Sequence, residues 1–313
     1  MSFMLLGILN AQALGAGGGG VAGYFGGGYT TSQVATVNKF SFSDDTRSTL
    51  GTGLTAGNWK LAAFANATVA GYFAGGETSS ARVSTVDKFS FPADSKSTLG
   101  TGLSYSPETA SGFSNSGTAG YNLGGRAFPS SYSTVNKFAF PSDSRSTLGT
   151  GLASATWSGA AMAKSGTAGY YLGGETGSGR SDRVDKFAFP SDSRTTLGTG
   201  LPAGTTNLAA MANSGTAGYV GGGSTTSRIN TVYKYDFSND SRSTLSATLS
   251  AANSGLGAMA NSGLAGYFGG GATSVGRVAT VDKVDFSDDT RSTLGTGLSA
   301  NTDFLAGMAD ELI

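Results

Sequence analysis

One phrase recurs six times along this chain of 313 residues and limits the possible folds more than any other feature. The tripeptide "AGY" places its tyrosine at Tyr24, Tyr72, Tyr121, Tyr170, Tyr219 and Tyr267, in steps of 48, 49, 49, 49 and 48 residues. A second phrase, "V-x-K", follows each copy, with its lysine at Lys39, Lys88, Lys137, Lys186, Lys234 and Lys283. A period near 50 residues is typical of repeat architectures, in which neighbouring units bury one another's apolar faces.

Each unit contains four short apolar runs separated by turn signals, which we label strands a to d. Typical copies are "LAAMAN" for strand a, "AGYVGGG" for b, "TVDKFAF" for c and "STLGTGL" for d. Gly, Ala, Ser and Thr dominate, with 51 glycines, and the leucine-rich periodicity of helices is missing. Four antiparallel strands in every unit predict an all-β fold, a six-bladed β-propeller.

Strand c alternates as a half-buried strand does. In the second copy Val86 and Lys88 face one side, whereas Asp87 and Phe89 face the other. The six lysines of strand c are therefore predicted to form a solvated stripe above apolar neighbours.

The repeat begins and ends out of phase. It starts at strand b with "VAGYFGGG" and finishes with a lone strand a, "FLAGMADELI". The last strand is therefore predicted to complete the first blade, with Met308 beside Tyr24. Such a 3+1 closure removes the unpaired edges of an open array.

Residues 1–20, "MSFMLLGILNAQALGAGGGG", belong to no blade, so the expected organisation is an arm over 1–20 and a propeller over 21–313. An apolar arm ahead of a glycine-rich link needs a surface to cover it. We expect another subunit of a larger assembly to provide that surface. The alternatives are folding back onto the propeller, a simple homo-oligomer, and a secretory signal, although the positive n-region is missing. The predicted anchor residues are Phe3, Met4, Leu5, Leu6, Ile8 and Leu9.

The two ends of the blades differ when the repeats are compared with one another. The a–b and c–d turns are nearly uniform, whereas the b–c and d–a loops vary from copy to copy. Loops held by a rigid scaffold commonly carry binding residues, and exposed aromatic rings suit the apolar faces of sugars. Unconstrained drift of the loops is the alternative. The predicted ligand-face residues are Trp59, Tyr105, Arg126, Phe128, Tyr132 and Trp157.

An aspartate precedes a basic residue by two positions in every c–d turn. Because this pair obeys the repeat in all six blades, it is interpreted as a structural turn rather than a calcium or catalytic site. The pairs are Asp45/Arg47, Asp94/Lys96, Asp143/Arg145, Asp192/Arg194, Asp240/Arg242 and Asp289/Arg291.

The composition excludes several kinds of site. Without Cys or His the chain offers no thiolate, no Ser-His triad and no imidazole metal ligand. Zero net charge disfavours nucleic acid as a partner, and no apolar run approaches the roughly 18 residues of a membrane span. We therefore predict no catalytic residue, no metal and no cofactor. The acidic residues of the variable loops, Glu77, Glu108, Glu175 and Asp303, cannot be paired from sequence as a glycosidase would need.

Three resemblances add expectations. Paired glycines after an aromatic residue, as in "GYFGG" and "GYYLGG", resemble the kelch repeat, which implies a propeller. The turn "SDSRSTLG" is similar to the Asp-box turn of sialidases, which implies a glycosidase as one alternative. The N-terminal "MSFMLLGILNAQA" with its glycine-rich link resembles structural proteins of tailed bacteriophages, particularly cyanophages.

The phage resemblance implies a non-enzymatic virion protein, on the tail or the capsid surface, that contacts other virion proteins through its arm. We expect a tail fibre or receptor-binding role in which the loops recognise a host glycan or surface receptor. A capsid decoration protein and a cellular kelch-like scaffold for protein partners are further alternatives.

Overall fold

The computed structural model describes residues 21–310, which form six four-stranded antiparallel sheets arranged as the blades of a propeller. In each blade strand a is innermost and strand d outermost. In the order a to d, the strands of blade 1 are Ala306–Asp310, Ala22–Gly26, Val37–Ser41 and Arg47–Thr49; of blade 2, Ala62–Asn66, Ala70–Ala74, Val86–Ser90 and Ser95–Thr98; of blade 3, Ser111–Asn115, Ala119–Leu123, Val135–Ala139 and Ser144–Thr147; of blade 4, Ala160–Lys164, Ala168–Leu172, Val184–Ala188 and Ser193–Thr196; of blade 5, Ala209–Asn213, Ala217–Gly221, Val232–Asp236 and Ser241–Thr244; of blade 6, Gly257–Asn261, Ala265–Gly269, Val281–Asp285 and Arg291–Thr293.

Three b–c loops contain short hairpins of their own. They pair Arg126–Ala127 with Ser130–Ser131, Glu175–Thr176 with Gly179–Arg180, and Ala272–Thr273 with Gly276–Arg277. Within residues 21–310 there is no helix that could cross a membrane.

The predicted 3+1 closure is confirmed. Ala306–Asp310 pairs antiparallel with Ala22–Gly26, and Met308 lies opposite Tyr24. The Val21 N–H donates to the Asp310 carbonyl at 3.0 Å, so the first and last described residues lie together at the end of the blade that carries the a–b turns. The anchor residues predicted within 1–20 lie outside the described residues.

The extent of strand d was predicted wrongly. In blade 3 the strand covers only Ser144–Thr147, and the following "LGTGL" leaves the sheet. Leu152, at the end of that segment, returns to the core and is buried. The segment passes so close to the b–c loop that a Cβ on Gly151 would collide with the Ser133 carbonyl.

A ring of side chains packs each blade onto the next near the axis. Phe64 of strand a in blade 2 lies over Gly120 of strand b in blade 3, where an added Cβ would collide with the phenyl ring. The contact explains why "AGY" requires its glycine and why strand a carries one large apolar residue. The other five pairs are Phe113/Gly169, Met162/Gly218, Met211/Gly266, Met259/Gly23 and Met308/Gly71.

The lysines of strand c are not a solvated stripe, and this prediction is wrong. Both faces of strand c are covered by neighbouring blades, so Val86, Asp87 and Phe89 are all buried. The Lys88 ammonium donates to Asp143 in the c–d turn of the next blade at 2.6 Å. The same carboxylate accepts a 2.7 Å hydrogen bond from Tyr72.

This Tyr–Asp–Lys clasp closes all six blade interfaces. Its members are Tyr24/Lys39 with Asp94, Tyr72/Lys88 with Asp143, Tyr121/Lys137 with Asp192, Tyr170/Lys186 with Asp240, Tyr219/Lys234 with Asp289, and Tyr267/Lys283 with Asp45. The aspartate of each c–d turn therefore bonds to the preceding blade, not to the basic residue two positions later. Each of these aspartates has a φ of 54–57° or 59°, which Asp tolerates better than most residues.

The aspartate and the basic residue of each c–d turn therefore have separate partners. In blade 4, Arg194 does not pair with Asp192, because that carboxylate is occupied by the clasp with blade 3. The Arg194 guanidinium turns to strand c of its own blade, where it lies 3.7 Å from the Asp185 carboxylate, and it donates to the Thr196 hydroxyl at 3.2 Å. The equivalent contacts, at 3.4–3.9 Å, are Arg47 with Asn38, Lys96 with Asp87, Arg145 with Asn136, and Arg291 with Asp282.

The strand c residue in these contacts also reaches the preceding blade. The Asn136 carboxamide oxygen, 3.5 Å from the Arg145 guanidinium, accepts the Ser104 N–H from the preceding d–a loop. Blade 5 has Tyr233 at the position of Asn136. There Arg242 lies over the Tyr233 ring and donates to the Gly200 carbonyl.

A third contact between neighbouring blades sets a large side chain on one strand b against a small residue on the strand b of the preceding blade. Phe73 and Phe268 each fill the space above a glycine, Gly26 and Gly221 respectively. At the equivalent place between blades 2 and 3 the repeat sets Asn122 against Ala74. Asn122 is fully buried, and neither its amide nitrogen nor its carbonyl oxygen bonds to a described residue.

We expect the double substitution Ala74→Gly/Asn122→Phe, which copies the Gly26/Phe73 pair, to raise the free energy of unfolding by about 1–3 kcal/mol. It removes buried polar atoms without partners and adds apolar contact. Chemical denaturation would measure the change. Asn122→Phe alone is the matched control, since the Ala74 methyl group then crowds the ring. A double variant less stable than the parent would contradict the expectation.

Candidate functional site

The b–c and d–a loops meet at one end of the propeller, which we call the loop face; the opposite end, with the a–b and c–d turns, is the turn face. Backbone bridges join the two kinds of loop in each blade, for example Trp59 with Glu77 and Glu108 with Arg126. The loops therefore form one continuous surface around the axis.

Six residues of the d–a loops close the axis at this face through a ring of backbone hydrogen bonds. Each N–H donates to the carbonyl of its counterpart in the adjacent blade at 2.6–2.9 Å, and the sixth bond returns to the first residue. All six have a positive φ, 52–58° for the five non-glycine residues and 70° for the glycine. This axial ring consists of Lys60, Thr109, Ser158, Asn207, Gly255 and Phe304.

The backbone of the axial ring obeys the repeat, but the side chains at and beside it do not. In blades 5 and 6 the residues preceding the ring are small, Thr206 and Ser254. In blades 2, 3 and 4 they are Trp59, Glu108 and Trp157. One arc of the loop face therefore carries large aromatic and charged groups, and the other carries small polar ones.

Glu108 is the centre of a charge cluster on the large arc. Its carboxylate is 1% exposed and accepts from Lys60 at 2.8 Å, Arg82 at 3.3 Å and Arg126 at 3.0 Å. Lys60 also contacts Glu77 at 3.2 Å, so one ammonium joins two carboxylates. Burial alone raises the pKa of Glu108, but the hydrogen bonds from Lys60 and Arg126 and the charge of Lys60 outweigh it and lower the pKa to about 2. Glu108 is therefore held as an anion.

Aromatic rings continue the cluster toward blade 1. Trp59 packs against Tyr29 at 4.9 Å and edge-on against Phe304 at 5.6 Å, measured between ring centroids. The Lys60 ammonium lies 3.9 Å above the Trp59 ring, and the Arg277 guanidinium lies 4.5 Å from the Tyr29 ring. Such cation–aromatic contacts stabilise exposed pairs by roughly 0.5–1 kcal/mol. They fix the orientation of these rings.

The six residues predicted for the ligand face all lie in these loops, but the structure separates them. Trp59 belongs to the cluster around Lys60, and Arg126 joins Glu108 to the Trp157 ring at 5.3 Å. Tyr105 and Tyr132 stack on each other at 4.2 Å, and the Tyr105 hydroxyl donates to the Gly124 carbonyl. Phe128 is 71% exposed at a hairpin tip.

Sequence reasoning missed Lys60, Glu108 and Phe304 as members of one site. Aligning the repeats on "AGY" would have found them, because the position two before the first residue of strand a, which holds Lys60 and Phe304, differs in every copy, and the position before that, which holds Glu108, is nearly as variable. Residues about one repeat apart, such as Lys60 and Glu108, lie side by side in adjacent blades.

The turn face has a smaller asymmetry of its own. Val21, Val69 and Leu264 are 60%, 46% and 45% exposed in three neighbouring blades, 1, 2 and 6. At the equivalent position blades 3, 4 and 5 carry threonine: Thr118, Thr167 and Thr216.

No protein-family model matches this chain, and no curated protein matches its sequence.

Proposed function

We propose that this protein is a non-enzymatic structural component of a tailed-bacteriophage virion, in which a kelch-like propeller is displayed and its loop face contacts a host-surface glycan or receptor. The observation that carries the proposal is the broken symmetry of the loop face. The clasps, the packing of Met or Phe on a glycine and the axial backbone ring are repeated around the propeller, whereas the large arc with Trp59, Glu108 and Trp157 occurs once. A scaffold that needed only stability would have no use for this difference.

The turn face supports attachment on the opposite side. The exposed apolar side chains of Val21, Val69 and Leu264 lie on the three blades around the point where residues 1–20 join the propeller. Contiguous apolar groups on a surface mark contacts with other proteins. We propose that this face contacts other virion proteins. The preferred role is a tail fibre, and the second is a capsid decoration protein.

The charge cluster supports binding rather than glycoside hydrolysis. A glycosidase needs one protonated carboxyl group as its acid. Glu108 is ion-paired on several sides and its pKa is lowered to about 2, so it has no proton to donate near neutral pH. Glu77 is ion-paired with the same Lys60 ammonium.

Glycan binding tests the loop face. We expect the intact protein to bind a subset of bacterial surface polysaccharides on an array, and Trp59→Ala and Trp157→Ala each to weaken that binding at least tenfold. Thr118→Ala on the turn face is the control and should bind as the parent does. Unchanged binding in both tryptophan variants would remove these residues from the proposal, and absence of binding by the parent would overturn glycan recognition.

Incorporation into particles tests the virion assignment. A chain lacking residues 1–20 should keep its fold, measured by circular dichroism, but should no longer join the particle during assembly. Full incorporation of the shortened chain would contradict anchoring by the arm.

A further inference from the structure

We infer that the axial depression of the loop face is a saccharide subsite, which takes one terminal sugar residue end-on between an aromatic wall and a polar wall. The inference rests on the proposed function and names where the glycan binds. The depression is lined by the axial ring and by the residues that follow it, and its solvent-accessible volume is about 70 Å³, so only the end of a ligand enters it.

The backbone conformation of the axial ring shows that its side chains are not required by the fold. A left-handed φ is unfavourable for residues with a Cβ, and most unfavourable for bulky or β-branched ones. Blade 6 uses Gly255 and completes the same hydrogen-bond ring. Glycine would therefore serve at every position, yet Thr109 and Phe304 stand at two of them.

The six side chains are also all different, although their positions are equivalent. At the clasp, where the role is structural, the same residue types recur in all six blades. The side chains differ at equivalent positions, and they stand on a backbone conformation that disfavours them. This combination indicates that the axial ring carries residues for contact with a ligand rather than for the fold.

The two walls of the depression suit the two kinds of surface on a sugar, its apolar C–H face and its hydroxyl groups. Phe304 lies over Gly255, within 3.4 Å of where a Cβ would be, and it is backed by Trp59. This wall can cover the C–H face of a pyranose ring. On the opposite side lie Ser158 and Asn207, whose side chains form no hydrogen bond with any residue between 21 and 310. A hydroxyl group and a carboxamide both donate and accept, as sugar hydroxyls require.

Lys60 limits the charge that the subsite tolerates. Its ammonium is held by Glu77 and Glu108 and covers the Trp59 ring, so its charge is already balanced. The ligand class is therefore an uncharged hexose or N-acetylhexosamine at the end of a glycan.

Glycine substitutions test the subsite without straining the backbone. We expect Phe304→Gly and Asn207→Gly to fold with an unchanged or higher melting temperature and to lose at least tenfold in affinity for the glycan that the parent binds. Gly255→Asn, which the left-handed conformation also tolerates, should weaken binding by filling the depression. The probe is a panel of neutral hexoses, N-acetylhexosamines and oligosaccharides ending in them, observed by saturation-transfer NMR and titration calorimetry.

The turn face provides the matched control. Thr68 has a φ of 60° where other blades carry glycine, such as Gly117, so Thr68→Gly relieves the same strain far from the depression. It should leave affinity unchanged. If the parent binds a glycan and all three axial variants bind it equally well, the axial subsite is wrong while the loop face as a glycan-binding surface stands. If the parent binds no member of the panel and no array glycan, both are overturned.

Discussion

A variant that ends at Phe304 is expected to lose its cooperative fold. It lacks strand a of blade 1, so the buried strand Ala22–Gly26 loses the backbone partners that it has in Ala306–Asp310. Leu305 and Met308 are 6% and 4% exposed, and burial of each contributes roughly 1.5–3 kcal/mol. Each buried backbone group left unpaired costs about 1–3 kcal/mol more. Together these losses equal or exceed the usual total stability of a domain, about 5–15 kcal/mol.

Circular dichroism and size-exclusion chromatography would measure the loss, as a broad or missing thermal transition and association into larger species through the open edge. The matched control removes only residues 311–313, which follow the last pair of the strand register, Ala22 with Asp310. It should unfold as the parent does. A circular permutant in which residues 305–310 precede Val21 through Ser-Gly, the two central residues of the "NSGT" turn, should restore the fold, because Val21 and Asp310 are already hydrogen-bonded as the Thr and Asn of that turn are. A truncated chain with a parent-like transition would show that the ring does not need its closing strand.

The propeller and its closure could be predicted because they depend on local periodicity. The tyrosine spacing fixes the number of blades, and the phase of the first and last copies fixes the 3+1 arrangement. The Lys88 clasp could not be predicted from the alternation of strand c, since alternation describes a sheet with one wet face. In this propeller both faces of the strand contact another blade, and the partner Asp143 lies 55 residues further along the chain.

The turn pairs were interpreted as structural from their repetition, which does not show what each residue contacts. Asp192 and Arg194 are two positions apart in sequence, but each contacts a residue outside the turn. Asp192 accepts from Lys137 of the preceding blade, and Arg194 lies against Asp185 of its own strand c. A repeated spacing therefore indicates that a turn is structural without indicating which atoms it joins.

The candidate site was predicted only in outline. The variable loops predicted that Trp59 and Arg126 share one face, but not which side chains meet there, because these come from different blades. Lys60 and Glu108 are 48 residues apart and in contact, as adjacent copies of nearly equivalent positions must be. The orientation of the Trp59 ring depends on Tyr29, from the b–c loop of blade 1, and on Phe304, from the closing segment of the chain.

Alkaline unfolding is expected to be unusually steep, because the clasp fixes six tyrosines in their protonated form. Burial, followed by the hydrogen bond to Asp143 and the charge of that carboxylate, raises the pKa of Tyr72 far above its usual value of 10, and the other five clasp tyrosines are shifted in the same direction. A folded-state pKa above the unfolded one means that the contribution is complete below pH 10 and falls as pH rises beyond it. Each tyrosine removes about 1.4 kcal/mol of stability per pH unit, so six remove roughly 8 kcal/mol per unit.

Chemical denaturation between pH 9 and about 12 would measure this slope. Tyr72→Phe should be less stable at pH 7, because Asp143 loses a hydrogen bond. Above pH 10, however, its free energy of unfolding should fall less steeply than that of the parent, by about 1.4 kcal/mol per pH unit. If both chains stay folded at pH 10 and the parent shows more tyrosinate absorbance than Tyr72→Phe, the buried clasp is contradicted, since an ionised Tyr72 would then face the Asp143 carboxylate without a proton between them.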